Sequence, residues 1–448
     1  MKFPLSIDYI SKIKKQIGVD TLNNATIREI VQISTIIQKE VDNEPLIRFD
    51  KGIPGLPPFE IGVDAEIKAL KNGIAAIYPN VEGISDAKEQ MSIFYKKFMN
   101  LNIGSELCFP VSGSLQGSFA SFIVLSKIDA KKKKILFVDP GFQVQKQQCE
   151  VLSVDYDTIN LPEIRGNKFE KILKGYFETG LYSAILYSNP NNPTWLCLSD
   201  VELKVIGELS NQFDIIVIED LAYFGMDFRE DYFTGQEPFM PSITKYTSNY
   251  ILLFSSSKIF SYAGQRIAML ALSENLYKKE YINLSNTFKN ISFGKALINE
   301  TLDSISSGTC HSAQYAFAAM LQSINNGNKD CINALKKYEK HAKLTKNIFL
   351  KYGFDVLYND DLGRPLADGF YYTIYHPKLD SEELLHSLLQ VGVTAISLKI
   401  AGSKEDKGIR ICVSQIKDEQ IELLDARLSM INSIKEKFET NEVVIHYQ

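Results

Sequence analysis

The chain has 448 residues, of which 45% are hydrophobic and 23% charged, and its formal net charge is -5. That length exceeds one compact core of the usual size, so two substructures are expected, and the even composition excludes disordered and fibrous classes. The slight negative charge argues against a nucleic-acid-binding surface as the main business, leaving room only for a local anion pocket. Six cysteines (Cys108, Cys149, Cys197, Cys310, Cys331 and Cys412) form no C-x-x-C pair, and the five histidines do not interleave with them at ligand spacing. Reduced thiols and no metal site are expected. The stretch MKFPLSIDYISKIKK lacks the apolar core of a signal peptide, and no uncharged run is long enough to span a bilayer. A cytoplasmic protein with no membrane association is the expectation.

In chain order, the first fifty residues alternate charged and apolar positions at helical spacing, as in TIREIVQISTIIQKEV. They form a helical arm, residues 1–50, expected to pack with the smaller domain. The Gly/Pro-rich KGIPGLPPFEIG, residues 51–62, reads as an extended connector. From Leu107 the pattern changes to short apolar, β-branched runs separated by amphipathic stretches: LCFPV (107–111), KILFVD (134–139), CEVLSVDY (149–156), SAILYS (183–188), IIVIED (215–220), YILLFSS (250–256) and RIAMLALS (266–273). Such near-continuous apolar strands imply an α/β fold whose sheet is mostly parallel and covered by helices. The lysine run 131–134 falls between a helix and a strand and reads as a solvated connector. After about Leu276 the chain reads helical for a long way. Beyond Gly353 come shorter strands, FDVLY, GFYYTIY, VTAISLKI and GIRICVS, with the helix SEELLHSLLQ among them. The expected organisation is an arm over 1–50, a large domain over 51–330 and a smaller α/β C-terminal domain over 331–448.

Ligands on parallel sheets bind at the carboxyl ends of the strands, so those ends carry the functional reading. SAILYS ends in NPNNPTW, a turn fixed by two prolines that presents Asn192; IIVIED ends in Asp220, with Tyr223 three residues on; YILLFSS runs into SSSKIFSYAGQR, which holds Lys258 and Arg266. A nucleotide-binding reading fails, because no G-x-x-x-x-G-K-[ST] occurs and Gly113 and Gly117 of VSGSLQGSF do not make G-x-G-x-x-G.

The pieces NPNNPT, DLAY and SSSKIFSYAGQR occur in one order across the chain between Lys51 and Ser414. In that order they resemble the N-P-x-N-P-T-G, D-x-A-Y and S-x-S-K-x-x-x-x-x-G-x-R pattern of class I/II aminotransferases, fold-type I enzymes that use pyridoxal 5'-phosphate. The resemblance implies that Lys258 holds the cofactor aldehyde as an imine and later serves as general acid and base. Asp220 would keep the pyridine nitrogen protonated; at an effective dielectric near 20, a charge pair at about 4 Å gains roughly 4 kcal/mol. Asn192 and Tyr223 would hydrogen-bond the ring's phenolic oxygen. Gly113, Ser114 and Leu115, Ser255 and Ser257, and Arg266 would hold the phosphate through N–H groups, hydroxyls and a guanidinium fork. Phe142 of DPGFQ would stack on the ring. Tyr78 would reach the phosphate of a neighbouring subunit, implying a homodimer. Arg410, Asn192 and Ile53 are assigned to the substrate, Arg410 gripping its α-carboxylate.

Each of these residues also has a plainer reading: Asn192 as a turn former, Tyr223, Phe142 and Tyr78 as packing aromatics, Arg410 as a cross-strand ion pair. His311 reads as a hydrogen-bonded residue at a helix start. Two features depart from the family pattern: Trp195 stands where glycine usually follows N-P-T, and ISLKIAGSKEDKG, residues 396–408, replaces a Pro-Gly turn. The expected activity is transfer of an amino group from an L-amino acid to a 2-oxo acid by a ping-pong route. A β-lyase of the same fold shares every cofactor contact and stays open, as does a non-enzymatic cofactor-binding regulator, although the arm before Asp50 is short for a DNA-binding domain.

Overall fold

The computed structural model describes residues 2–41 and 44–439, with side chains as far as Ile431. The chain divides into two compact units, one of Met1–Gly55, Asn192–Trp195 and Lys337–Gln448, the other of Leu56–Asn191 and Leu196–Lys336.

The arm folds as helices Ile7–Ile17 and Ile27–Glu40. Ser6 caps the first by accepting from the Tyr9 N–H, and Thr26 with Glu29 forms a reciprocal capping box on the second. Ile30, Ile33 and Ile37 recur at the spacing of one helical face and are buried. The short strand β1 (Ile47–Arg48) follows.

The larger unit is built on seven strands: β2 (Cys108–Val111), β3 (Lys134–Asp139), β4 (Tyr156–Asn160), β5 (Tyr182–Ser188), β6 (Ile216–Leu221), β7 (Tyr250–Ser255) and β8 (Ala268–Leu272). Their order is β2-β8-β7-β6-β5-β3-β4, parallel throughout except for β8, which runs antiparallel to both β2 and β7. All residues of β2, β6, β7 and β8 are buried, which is why their sequences carry no polar alternation. For the same reason the antiparallel β8 has no pattern that distinguishes it from its parallel neighbours.

One expected strand is not a strand over its first residues. Residues 149–152 are the end of the helix Gln143–Leu152, Ser153 closes it in the left-handed region (φ 54), and β4 begins only at Tyr156. Gln145, Lys146 and Cys149 are buried whereas Val151 is 77% exposed, the periodicity of a helix and not of a strand. The lysine run is also less solvated than expected: Lys132 Nζ donates to the carbonyls of Phe213 (2.6 Å) and Asp214 (3.1 Å), at the carboxyl end of the helix Asp200–Phe213. The region after Leu276 is helical but interrupted, with a π-helical turn over Ala296–Leu302 and a break at Gly308 (φ 118) before the helices His311–Asn325 and Asp330–Lys351.

In the smaller unit, β9 (Asp355–Val356), β10 (Tyr371–Tyr375), β12 (Ile396–Ser397) and β13 (Ile409–Cys412) form an antiparallel sheet in the order β12-β13-β10-β9, while β11 (Val393–Thr394) pairs in parallel with β1. The helix Ser381–Gln390, capped by Asp380 and Glu383, precedes β11, and Leu5 N–H donates to the Gln390 carbonyl at 2.7 Å. The arm and the C-terminal strands are therefore joined by backbone hydrogen bonds. Among the described residues no helix is long and apolar enough to cross a membrane, and no cluster of three or more His, Cys, Asp or Glu could hold a metal ion.

Candidate active site

In the larger unit the loops that leave β2, β3, β5, β6 and β7 depart from one rim of the sheet. Because β8 is antiparallel, its entry lies at the same rim: Ala268 is in register with both Ser255 and Val111. The antiparallel strand thus delivers Arg266, two residues before β8, beside the end of β2. A Cβ built on Gly113 would lie 2.6 Å from Arg266 Nη2. Gly113 has φ +76 and Arg266 is itself left-handed, φ 53. Here the sequence motif and the fold bring the same groups together.

Gly113 starts the helix Ser114–Leu125, so the N–H groups of its first turn face that corner. Ser114 Oγ is buried without a hydrogen-bond partner. Arg266, exposed, spends one bond on the Ala263 carbonyl (Nη1, 3.0 Å) and keeps its remaining donors for other use. An orphaned hydroxyl, a helix start and a guanidinium closing on a glycine are what a phosphate dianion needs. Ser255 caps the four-residue helix Ser256–Ile259 by accepting from the Ser257 N–H at 3.2 Å, and that helix carries the half-buried Lys258. Ser256, which no motif singles out, ties the turn down: its hydroxyl donates to the Ile267 carbonyl at 2.6 Å, joining the lysine loop to the arginine loop. Leu115 lies on the first turn of the helix and its carbonyl accepts from Gln148 Nε2 at 2.7 Å.

Asp220 sits near the end of β6, in register with Ser188 and Leu253. It is buried and accepts from Gln145 Nε2 (2.9 Å) and the Ala222 N–H (3.1 Å). Burial pushes its carboxyl up to about 6, the two hydrogen bonds opposing the rise. A desolvated carboxylate held by amides has room for a cation as a third partner, and a protonated pyridine nitrogen is such a cation. Gln145 carries no motif; only the helix boundaries, which put it three residues after Phe142, could have revealed it. The neighbouring Glu219 is buried too and pushed up to about 7, with Ser242, Ile243 N–H and Tyr187 as donors.

Phe142 is the N-cap of its helix and 36% exposed, an aromatic face left uncovered on a fixed turn. That turn is held by the buried Lys146–Asp139 pair (2.6 Å) and by Asn191 Nδ2 donating to the Pro140 carbonyl at 2.7 Å. Tyr223 is buried just beyond β6. Tyr78 is 91% exposed in the single chain, and His311, at the first position of its helix, contacts the Ile77 carbonyl through Nδ1 at 3.0 Å. The orphaned Ser114 hydroxyl, the Gly113–Arg266 corner and the desolvated Asp220 carboxylate match in chemistry the phosphate and the cationic ring nitrogen of a phosphorylated pyridine aldehyde.

In the smaller unit Arg410 stands on β13 opposite Thr373 and Ile396, so its ladder neighbours are uncharged and no cross-strand ion pair forms among the described residues. Nη2 donates to the Asp50 carbonyl (3.1 Å), Nη1 reaches Asn192 Oδ1 (3.4 Å), and the Tyr371 ring covers the guanidinium face, centroid 4.4 Å from Cζ. Nε is buried with no partner. Ile53, 47% exposed, offers its carbonyl to Ser414 Oγ at 2.5 Å, so its side chain and not its backbone is available. Trp195 is fully buried with φ 62, and the left-handed conformation, which glycine adopts freely, costs a tryptophan about 1–2 kcal/mol.

A family model described as aminotransferase class I and II matches residues 44–428. Aspartate aminotransferase of Pyrococcus horikoshii is 23% identical over 256 residues, which are 55% of this chain and 61% of that protein. Histidinol-phosphate aminotransferase of Macrococcus caseolyticus is 35% identical over 214 residues, 47% of this chain and 54% of that one. The matched stretch thus spans about half to three fifths of these relatives' length. Among solved structures, aspartate aminotransferase from Thermus thermophilus with maleate superposes with a TM-score of 0.73 at 16% identity, covering 92% of this chain and 97% of that one. An aminotransferase from Mycobacterium tuberculosis gives 0.74 at 16% identity, with 91% and 96% covered. At such identities these structures establish the fold, and the family model, which takes in most of the sequence, establishes membership: the chain belongs to the aminotransferase class I and II family.

Proposed function

We propose that the chain is an aminotransferase that moves an amino group from an L-amino acid to a 2-oxo acid with pyridoxal 5'-phosphate as cofactor. Class I and II aminotransferases use pyridoxal 5'-phosphate. The observation that carries the reading is the buried Asp220, held by amides at a strand end, in the same unit as the Gly113–Arg266 corner and the Lys258 loop.

When bound, the cofactor draws electrons away from the substrate Cα. The chain's residues then have distinct tasks. Asp220, oriented by Gln145, would hold a proton on the ring nitrogen by charge pairing, and Asn192 and Tyr223 would donate to the phenolic oxygen. Arg266, Ser114, Ser255, Ser257 and the Leu115 N–H would take the phosphate and the Phe142 ring would pack on the pyridine; the Gly113 N–H donates to the Val111 carbonyl at 2.8 Å, so Gly113 would contribute space rather than a donor. Lys258 would be the residue that holds the cofactor at its aldehyde end, and its freed amine would carry the Cα proton. Arg410 receives the α-carboxylate, with Ile53 against the rest of the substrate.

A homodimer is part of this proposal. Ile61, Ile67, Leu70 and Ile77 are exposed on or next to the helix Glu60–Lys71, and Tyr78 follows them, a grouping suited to a second copy of the chain. The buried, reduced thiols of Cys108, Cys149 and Cys331 suit a reducing compartment such as the cytoplasm.

The test is a stopped-flow screen of L-amino acids against the cofactor-loaded protein without any oxo acid. Loss of the cofactor's long-wavelength band with one donor, its return on adding a 2-oxo acid, and absence of both in Lys258→Ala are expected. Release of pyruvate and ammonia from a thioether amino acid with no acceptor present would instead mark a lyase.

A further inference from the structure

The segment Asn192–Trp195 touches the Arg410 site at both of its ends. Asn192 reaches the guanidinium edge through Oδ1 (3.4 Å), while the Trp195 indole meets Tyr371 edge-to-face, centroids 5.7 Å apart and planes at 73°. Tyr371 in turn has Arg410 Cζ over its ring, 4.4 Å from the centroid. A cation's face can be covered by a ring without spending its N–H donors, which all lie in the guanidinium plane. Beside the bonds to Asn192 and Asp50, Nη1 and Nη2 each keep a second N–H, and with the unpartnered Nε–H these are donors enough for a carboxylate's two parallel hydrogen bonds.

Two glycines lock this stack. A Cβ on Gly369 would sit 2.4 Å from Trp195 Nε1 and 2.5 Å from Cε2 and Cζ2, so the indole fills the space that a side chain there would take. A Cβ on Gly52 would sit 2.3 Å from the Tyr371 hydroxyl oxygen, so the far end of that ring is held against bare backbone. Tyr371 and Trp195 are both fully or almost fully buried. Trp195 holds a left-handed φ of 62 in this seat.

We propose that Trp195 is a positioning residue: seated in the Gly369 notch, it fixes Tyr371, and through Tyr371 the plane in which Arg410 grips a carboxylate. The proposal rests on the reading of Arg410 as the substrate-carboxylate anchor. It makes the bulky residue after N-P-T a determinant of how tightly carboxylates bind.

The sharpest perturbation is Gly369→Ala, which displaces the indole without deleting any group. In half-reactions of the cofactor-loaded protein with its fastest L-amino acid, Gly369→Ala should raise the half-saturating concentration about fivefold or more while leaving the limiting rate within about twofold. Adding Trp195→Phe, a smaller ring, should restore the half-saturating concentration, a rescue that generalised loosening would not give. Tyr371→Leu, which removes the ring over Arg410, should raise the half-saturating concentration about tenfold. An unchanged half-saturating concentration in Gly369→Ala, failure of the Phe rescue, or a limiting rate falling in parallel would overturn the proposal. Trp195 is the chain's single tryptophan, so a second readout is independent of turnover: titration with succinate followed by its fluorescence. A saturable change that is lost in Arg410→Lys supports the wedge even if no amino acid reacts, in which case the aminotransferase reading alone falls; a flat titration in the parent overturns the wedge.

Discussion

Replacing Asp220 by asparagine separates what the site costs the empty protein from what it gains with the cofactor. Burial raises the carboxyl from its ordinary 3.8 to about 6, a shift of roughly 2 units that corresponds to about 3 kcal/mol of penalty on the charged form. The folded chain holds this proton more tightly than the unfolded chain does. The stability linked to Asp220 is therefore complete below about pH 4 and is lost as pH rises through about 6. The asparagine side chain would keep the shape and cannot ionise; its oxygen can accept from the Ala222 N–H while its amide faces a flipped Gln145. Cofactor-free Asp220→Asn should accordingly be more stable than the parent by up to about 3 kcal/mol at pH 8, with the gap closing towards pH 4. Burial also pushes the Glu219 carboxyl up to about 7, and because its donors are Ser242, the Ile243 N–H and Tyr187, this contribution is common to both proteins and cancels in the difference. Urea unfolding of both proteins at pH 4.5, 6 and 8, followed by circular dichroism, measures the gap at roughly those points. Retention of pyridoxal phosphate should move the other way: losing a pair worth roughly 4 kcal/mol weakens binding by about a thousandfold. A variant less stable than the parent at pH 8, or a gap that does not change with pH, would refute the reasoning.

Gly113→Ala should weaken cofactor binding by about tenfold or more and also lower the unfolding midpoint of the empty protein, because the new methyl meets Arg266 Nη2 at 2.6 Å and the positive φ strains the turn; equilibrium dialysis against pyridoxal phosphate and thermal unfolding measure the two effects. Thiol labelling of the native chain should be fast at the exposed Cys310 and slow at Cys108, Cys149 and Cys331, whose thiols burial pushes up to about 12. Peptide mapping after brief exposure to a maleimide at neutral pH decides this, and early label on Cys108 would contradict the burial described.

The residues that could be read from sequence were those whose chemistry is local. The SSSK turn, Asp220 at the end of β6 and Arg266 before β8 are each announced by a few neighbouring letters, because a strand end exposes whatever follows it. What escaped was set by partners far away in the chain. Gln145 matters because Asp220 is 75 residues later; Ser256 looks like one more serine until its bond to Ile267 is seen; and Gly369 reads as a loop glycine until the Trp195 ring is found in its place. The run CEVLSVDY misled because Cys149, Val151, Leu152 and Val154 are apolar at mixed spacing, and only burial shows that Val151 points to solvent. Trp195 was recognised as a departure from the family pattern, yet neither its left-handed φ nor its seat against Tyr371 has any signature in a single sequence.

The central claim is that Lys258 carries the cofactor aldehyde, and chemical trapping tests it most directly. Protein loaded with pyridoxal phosphate is treated with borohydride, digested, and mapped by mass spectrometry for the lysine that retains a phosphopyridoxyl group. A single stoichiometric label on the peptide containing Lys258, absent from Lys258→Ala, is the predicted result; label on another lysine, or none with the cofactor bound, would contradict it.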